Sequence, residues 1–160
     1  RLILFLDPSR DPLGGGYHLI QSKIAIGSGG LLGTGLLNGK LTNLQFIPEQ
    51  HTDFIFSALG EELGFFGCSL VLFLFFILIS KLLDVSKNAR TNFESLIVIG
   101  IASTFLFQII INLFMTIGLG PVTGIPLPFM SYGRTSLLIN FICIGLSLSI
   151  LNRSRSLRNL

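Results

Sequence analysis

The sequence predicts an all-α membrane protein, a polytopic helix bundle with about three transmembrane helices in these 160 residues. Three observations predict it. Half the residues are hydrophobic and 12% are charged, against about a quarter charged in soluble domains; mean hydropathy is +0.76. Three uncharged apolar stretches come close to or reach the roughly 20 residues that a helix needs to cross a bilayer. Short basic segments alternate with acidic or neutral ones between them, as membrane topology requires. The same composition excludes a disordered chain. It also argues against nucleic-acid binding, because 11 Lys and Arg are scattered among 8 Asp and Glu and form no basic groove. The chain starts at Arg1 with no leader pattern, which reads as a piece of a longer protein.

Residues 1–62 are expected to be an extracytoplasmic loop with interfacial or re-entrant segments. Asp7-Pro8-Ser9-Arg10-Asp11-Pro12 and Gly14-Gly15-Gly16 mark turns. From Ile24 to Gly39 there is no charge, but six glycines disfavour a spanning helix. A backbone so apolar should lie at the membrane surface or dip into it against other helices. A phosphate-binding loop is the rival reading, yet the Gly-Lys-Ser/Thr ending is missing.

The transmembrane helices are expected at 63–80, 96–117 and 135–151, none with an internal proline. The loop 81–95 carries Lys81, Lys87 and Arg90, and the tail 152–160 carries Arg153, Arg155 and Arg158. Three crossings put both on one side, and the positive-inside rule makes that side cytoplasmic. The loop 118–134 then lies outside with residues 1–62. Pro121, Pro126 and Pro128 forbid a regular helix there, and its apolar character should pack it over the outer mouth of the bundle.

Polar side chains interrupt the apolar stretches. Thr104, Gln108, Asn112 and Thr116 recur every four residues and are expected on one inward face. Ser136, Asn140, Cys143 and Ser147 repeat the idea in the last helix. The stripe is either hydrogen-bond glue between helices or the lining of a cavity for a polar headgroup, with Gln108, Asn112 and Asn140 as lining candidates. Cys68 and Cys143 lack a second Cys or His at metal-ligand spacing and read as apolar packing residues. The densest chemistry is Pro48-Glu49-Gln50-His51-Thr52-Asp53-Phe54-Ile55-Phe56, followed by Gly60-Glu61-Glu62-Leu63-Gly64. Asp53 is either a helix cap or first-turn acid, or a carboxylate site at the outer face.

Several motifs agree with one family. They are Phe5-Leu6-Asp7-Pro8 with Asp11-Pro12, Gly16-Tyr17-His18 with Gln21-Ser22, and Ala25-Ile26-Gly27-Ser28-Gly29-Gly30. The His51-Thr52-Asp53-Phe54 and Gly60-Glu61-Glu62-Leu63-Gly64 motifs belong with them, as do the outer-loop run from Gly120 to Phe129 and Ser131-Tyr132-Gly133. Together, and in order over nearly the whole chain, they resemble the SEDS family (shape, elongation, division and sporulation; the RodA, FtsW and SpoVE group). The 25–30 stretch is more similar to the RodA branch. The resemblance implies a parent of roughly ten transmembrane helices, of which this is the C-terminal part. It implies a peptidoglycan glycosyltransferase that polymerises lipid II during elongation and shape maintenance, in the bacterial cytoplasmic membrane, with a class B penicillin-binding protein as partner. A flippase for the lipid-linked precursor and a non-catalytic scaffold for that partner are the alternatives.

The family's essential loop aspartate matches Asp53; the inverting transfer that the resemblance implies needs one base, and Asp53 is expected to be that base or the group that orients the hydroxyl. Lys23, Lys40, Glu49, His51, Ser131, Tyr132 and Arg134 follow as substrate-binding candidates. A divalent cation such as Mg²⁺ is a candidate cofactor by resemblance, without a visible ligand set. One departure stands out: Arg134 occupies a position that the family usually gives to a second glycine. A cation there can reach a substrate phosphate or can mark a tolerated variant.

Overall fold

The computed structural model describes residues 15–35, 38–39 and 52–158, with side chains as far as residue 154. Four helices build it: α1 (Gly15–Gly29), α2 (Ile55–Lys87), α3 (Asn92–Ile117) and α4 (Arg134–Arg158), with no strand among the described residues. The lengths and composition of α2, α3 and the 134–154 part of α4 suffice to cross a membrane. At 15 residues, α1 rises about 22 Å, short of the roughly 30 Å hydrocarbon core.

Helix α1 differs from the expectation of turns at 14–16 and an irregular backbone from 24. It starts at Gly15 and runs through Gly27 and Gly29. Tertiary packing overrides glycine's poor helix propensity here. Ala25 is fully buried against Phe54 and Met115, and Gly29 lies on the Gly60 carbonyl, so close that a β-carbon would overlap it.

Helix α2 contains a break. Gly64 has φ 64° and ψ −161°, a region open essentially to glycine alone. The break frees backbone groups that hydrocarbon would penalise, and the segment after α1 takes them up. Thr34 and Gly35 donate their N–H groups to Glu61 O (2.9 Å) and Glu62 O (3.1 Å). Phe65 and Phe66 donate theirs to Gly30 O (2.9 Å) and Leu31 O (3.3 Å), and the Thr34 hydroxyl donates to Glu61 O at 3.0 Å. Residues 30–35 therefore complete a helix they do not belong to.

After the break α2 continues to Lys87 and α3 begins at Asn92, so of the 81–95 stretch read as a loop all but 88–91 is helical. Its Lys81, Asp84 and Lys87 are exposed, and long side chains at a helix end keep their charges in water. Only 88–91 connect it to α3. There Thr91 forms a capping box with Glu94: the Glu94 N–H donates to Thr91 Oγ1 (3.2 Å) and the Thr91 N–H to Glu94 Oε2 (3.3 Å), the reciprocal arrangement that starts a helix. Helix α3 stops at Gly118, whose left-handed φ of 75° closes the C-terminus as such caps do.

The connection from α3 to α4 is non-helical over 118–133 and packs inward. Leu127 and Pro128 are buried. Phe129, at a left-handed φ of 61°, sets its ring edge-on between Phe105 (5.6 Å) and Phe141 (5.7 Å). Three apolar clusters hold the bundle. The largest gathers Leu82, Val85, Val98, Ala102, Phe105 and Ile150; another joins Phe56, Phe75, Ile109 and Leu127; the third is Ala25, Phe54 and Met115. Outside them Phe65, Phe66, Phe73, Phe76, Phe93 and Phe141 are more than half exposed. A surface of that kind would be costly in water and is normal in lipid. The protein is an integral membrane protein.

Candidate functional site

The site lies where the start of α2, the end of α3 and the 118–133 loop meet. Chain geometry places Asp53 there. Residues 52–54 form a turn and Ile55 opens α2, with Phe54 at the N-cap making no side-chain cap. Asp53 thus stands one residue before the cap, and no acid lies in the first helical turn. That position is compatible with an acid matched to the helix dipole and with a carboxylate site. The aspartate is half-buried at the positive end of the α2 dipole, where a carboxylate is favoured.

Gly124 faces it. A β-carbon there would stand 3.2 Å from Asp53 Oδ2, and the residue's φ of 72° disfavours any side chain. Asn112 joins the two segments from behind. Its side-chain amide donates to Asp53 O at 2.9 Å and to Ile125 O at 2.8 Å. Asn112 is fully buried, and its Oδ1 has no partner among the described residues, a deficit of about 1–3 kcal/mol. Turning the amide over would aim that oxygen at two carbonyls, so the orientation is fixed by its neighbours.

A second buried polar joint ties α1 into the same end. Ser22 and Ser57 share a hydrogen bond of 2.6 Å, and Ser22 Oγ donates to Thr116 O at 2.7 Å. Ser22 enters the sequence reading only within the Gln21-Ser22 motif and Ser57 not at all, because the signal is only a hydroxyl in an apolar context. Gly124 was within reach: a glycine between Pro121 and Pro126, opposite an acid, fits a close approach of backbone to a ligand or side chain.

The other predicted residues are spread differently. Lys23 is exposed, and its side chain lies against Gly118 at the α3 C-terminus, where the helix dipole favours a cation. Ser131 is buried and accepts the Leu127 N–H at 2.7 Å, so its hydroxyl shapes the loop. Tyr132 is 66% exposed. Arg134 is exposed at the first residue of α4, the dipole end that disfavours a cation. Lys40, Glu49 and His51 lie outside the described residues.

The polar stripe of α3 does not all face inward. Asn112 and Thr116 are buried and Gln108 half-buried, but Thr104 is exposed and donates to its own helix at Gly100 O, 2.9 Å. The reason is geometric: with 3.6 residues per turn, four-residue steps drift by about 40° each, so the stripe winds off the inward face. In α4 Asn140 and Ser147 are buried. Among the described residues no three His, Cys, Asp or Glu side chains come together as a metal site.

Comparison with known proteins extends this geometry. Residues 1–156 match the family model FtsW/RodA/SpoVE, described as cell cycle protein. The chain is 45% identical over 150 residues to the peptidoglycan glycosyltransferase MrdB of Escherichia coli, covering 94% of this chain and 40% of that protein. It is 46% identical over 150 residues to the peptidoglycan glycosyltransferase RodA of Treponema pallidum, covering 94% and 35%. It is 42% identical over 155 residues to the stage V sporulation protein E of Bacillus subtilis, covering 97% and 42%. It is similar in structure, with a TM-score of 0.76 and 38% identity, to a chain solved under the heading "Structural coordination of polymerization and crosslinking by a peptidoglycan synthase complex", over 96% of this chain and 41% of that one. The chain therefore spans about two fifths of the length of these relatives. On the family match over nearly its whole length, the chain belongs to the FtsW/RodA/SpoVE family.

Proposed function

We propose that the parent protein is a peptidoglycan glycosyltransferase that polymerises lipid II, and that Asp53 is its base. The observation that carries this reading is the half-buried carboxylate of Asp53 opposite Gly124, at a junction held by the Asn112 side-chain amide. The relatives' printed activity supports the same reading.

The chemistry asks for one base. The 4-hydroxyl of the acceptor sugar attacks C1 of the donor, the C1–O bond to the lipid pyrophosphate breaks, and configuration at C1 inverts. Asp53 accepts the hydroxyl proton as the new C–O bond forms. Gly124, lacking a side chain, leaves room for a sugar hydroxyl beside Oδ2. Charge developing on the departing pyrophosphate calls for a cation; Lys23 and Arg134, both exposed, are the described candidates. Arg134 is the stronger, because the α4 dipole gives it no structural reason to be there.

In this reading the protein sits in the bacterial cytoplasmic membrane. The Asp53 end is outside, where lipid II is polymerised, and the C-terminus is cytoplasmic, as the basic loop and tail favour. A class B penicillin-binding protein would supply crosslinking; the structural relative's description as a synthase complex for polymerization and crosslinking supports such a partner.

The test uses the full-length parent with that partner, its transpeptidase site blocked. Asp53→Asn is expected to lose at least 100-fold in glycan-strand synthesis from lipid II, with binding of lipid II retained. Wild-type polymerisation by the variant would remove Asp53 from the chemistry and favour the scaffold or flippase reading.

A further inference from the structure

We infer that Asn112 is a positioning residue for Asp53: its amide clamps the Asp53 peptide to the Ile125 peptide and so holds the carboxylate over Gly124. The inference rests on the proposed function for its kinetic consequence, but the clamp itself stands on geometry alone.

Asn112 is three turns inside α3 from Gly100 and far in sequence from both its partners. One side-chain nitrogen bonds two carbonyls, Asp53 O at 2.9 Å and Ile125 O at 2.8 Å. Neither carbonyl belongs to a regular element: one lies in the turn that opens α2 and the other in the α3–α4 loop. Backbone pairing elsewhere in the bundle cannot fix two irregular segments relative to each other. A helix side chain with two donors on one atom can, and Asn is the short residue that offers them.

The unmet acceptor strengthens the case. Asn112 is fully buried, and its Oδ1 has no partner among the described residues. Buried polar atoms are nearly always satisfied. An isosteric leucine would remove that orphan but would leave the Asp53 and Ile125 carbonyls without their donor, so what the amide does here is hold those two carbonyls. What the amide provides and leucine does not is the pair of donors, and those donors point at the segment carrying the proposed base and the segment facing it. Gly124, which borders Asp53 Oδ2, is the residue next to Ile125, so a shift at the Ile125 carbonyl is a shift of the floor beneath the carboxylate. Reactions that rely on a placed base are sensitive to such displacements, with losses on the order of 100-fold for about 1 Å.

The experiment compares wild type, Asn112→Leu, Asn112→Gln and Ser22→Ala in the full-length parent with its partner, transpeptidation blocked. Hydrogen–deuterium exchange is followed over 52–57 and 121–127, and kcat and KM are measured for lipid II. Asn112→Leu is expected to speed exchange in both segments and to lower kcat about 10–100-fold, with KM within twofold. Asn112→Gln, which keeps both donors, should recover part of that loss. Ser22→Ala, which breaks the other polar joint, should lower thermal stability while leaving kcat within about threefold. The inference is overturned if Asn112→Leu leaves exchange in the two segments unchanged. It is equally overturned if kcat in Asn112→Leu falls no further than in Ser22→Ala at a matched loss of stability. Asp53→Asn is run alongside: if it polymerises at the wild-type rate, the base assignment fails, while faster exchange in Asn112→Leu still supports the clamp.

Discussion

The two ends of the α2–α3 pair are built by different rules. At the end where α3 begins, regular helices meet through a complete capping box at Thr91 and Glu94 and an apolar cluster of Leu82, Val85, Val98, Ala102, Phe105 and Ile150. The Arg153–Glu94 pair there, at 3.6 Å with Arg153 67% exposed, adds little. At the Asp53 end the helices are interrupted, glycines touch backbone, and buried amides and hydroxyls carry the contacts. The apolar cluster of the first end can be repacked with residues of suitable volume, although Ser86 and Ser95 also share a hydroxyl hydrogen bond of 2.9 Å there. The second depends on individual donors, acceptors and absent side chains. An arrangement of that kind is costly in hydrocarbon, and its concentration around one carboxylate is what marks the site.

Substitutions can break that contrast or sharpen it. The largest structural effect is expected at Gly64. Alanine there would meet Gly33 N and Leu31 O and would have to adopt a glycine-only conformation, with a cost of at least about 3 kcal/mol. Folded yield in membranes and the melting temperature in detergent should fall sharply; a melting temperature within two degrees of wild type would mean the break is not fixed by Gly64. Next comes the serine joint. Ser57→Ala should cost about 1–2 kcal/mol by leaving the Ser22 side without one partner, read as a lower melting temperature with polymerisation largely kept. If activity disappeared instead, the joint would have to be counted with the site. The smallest effect belongs to the opposite end. Thr91→Ala should cost about 1 kcal/mol of helix stability and leave synthesis of glycan strands unchanged; a loss of activity comparable to Asp53→Asn would erase the distinction between the two ends.

The sequence makes some of this legible and hides the rest for physical reasons. Long apolar runs reveal α2, α3 and α4, because hydrocarbon demands an unbroken supply of apolar side chains. Three prolines reveal the non-helical 118–133 connection, and an acid just ahead of an apolar helix draws the eye to Asp53. The break at Gly64 stays hidden. Its partners are main-chain groups of 30–35, and Gly33, whose left-handed φ of 80° and lack of a side chain permit the close approach, looks in sequence like an ordinary loop glycine. Helix α1 is hidden for the opposite reason: its glycines argue against a helix locally, and the closeness of the Gly60 backbone that explains Gly29 is a tertiary contact. The Asn112 clamp falls between these cases. The four-residue stripe points to it, but the pattern treats Thr104, which faces outward, as its equal.

The α3–α4 loop touches each of these apolar clusters within a few residues: Val122 packs on the cluster of Ala25, Phe54 and Met115, Leu127 is part of the one around Phe56, and Phe129 sits on the one around Phe105. It behaves as a common shaft on which three bearings turn. A tilt of α4 transmitted through the Phe129 ring, or a displacement of α1 transmitted through Val122, moves the same short stretch of backbone that lies under the Asp53 carboxylate.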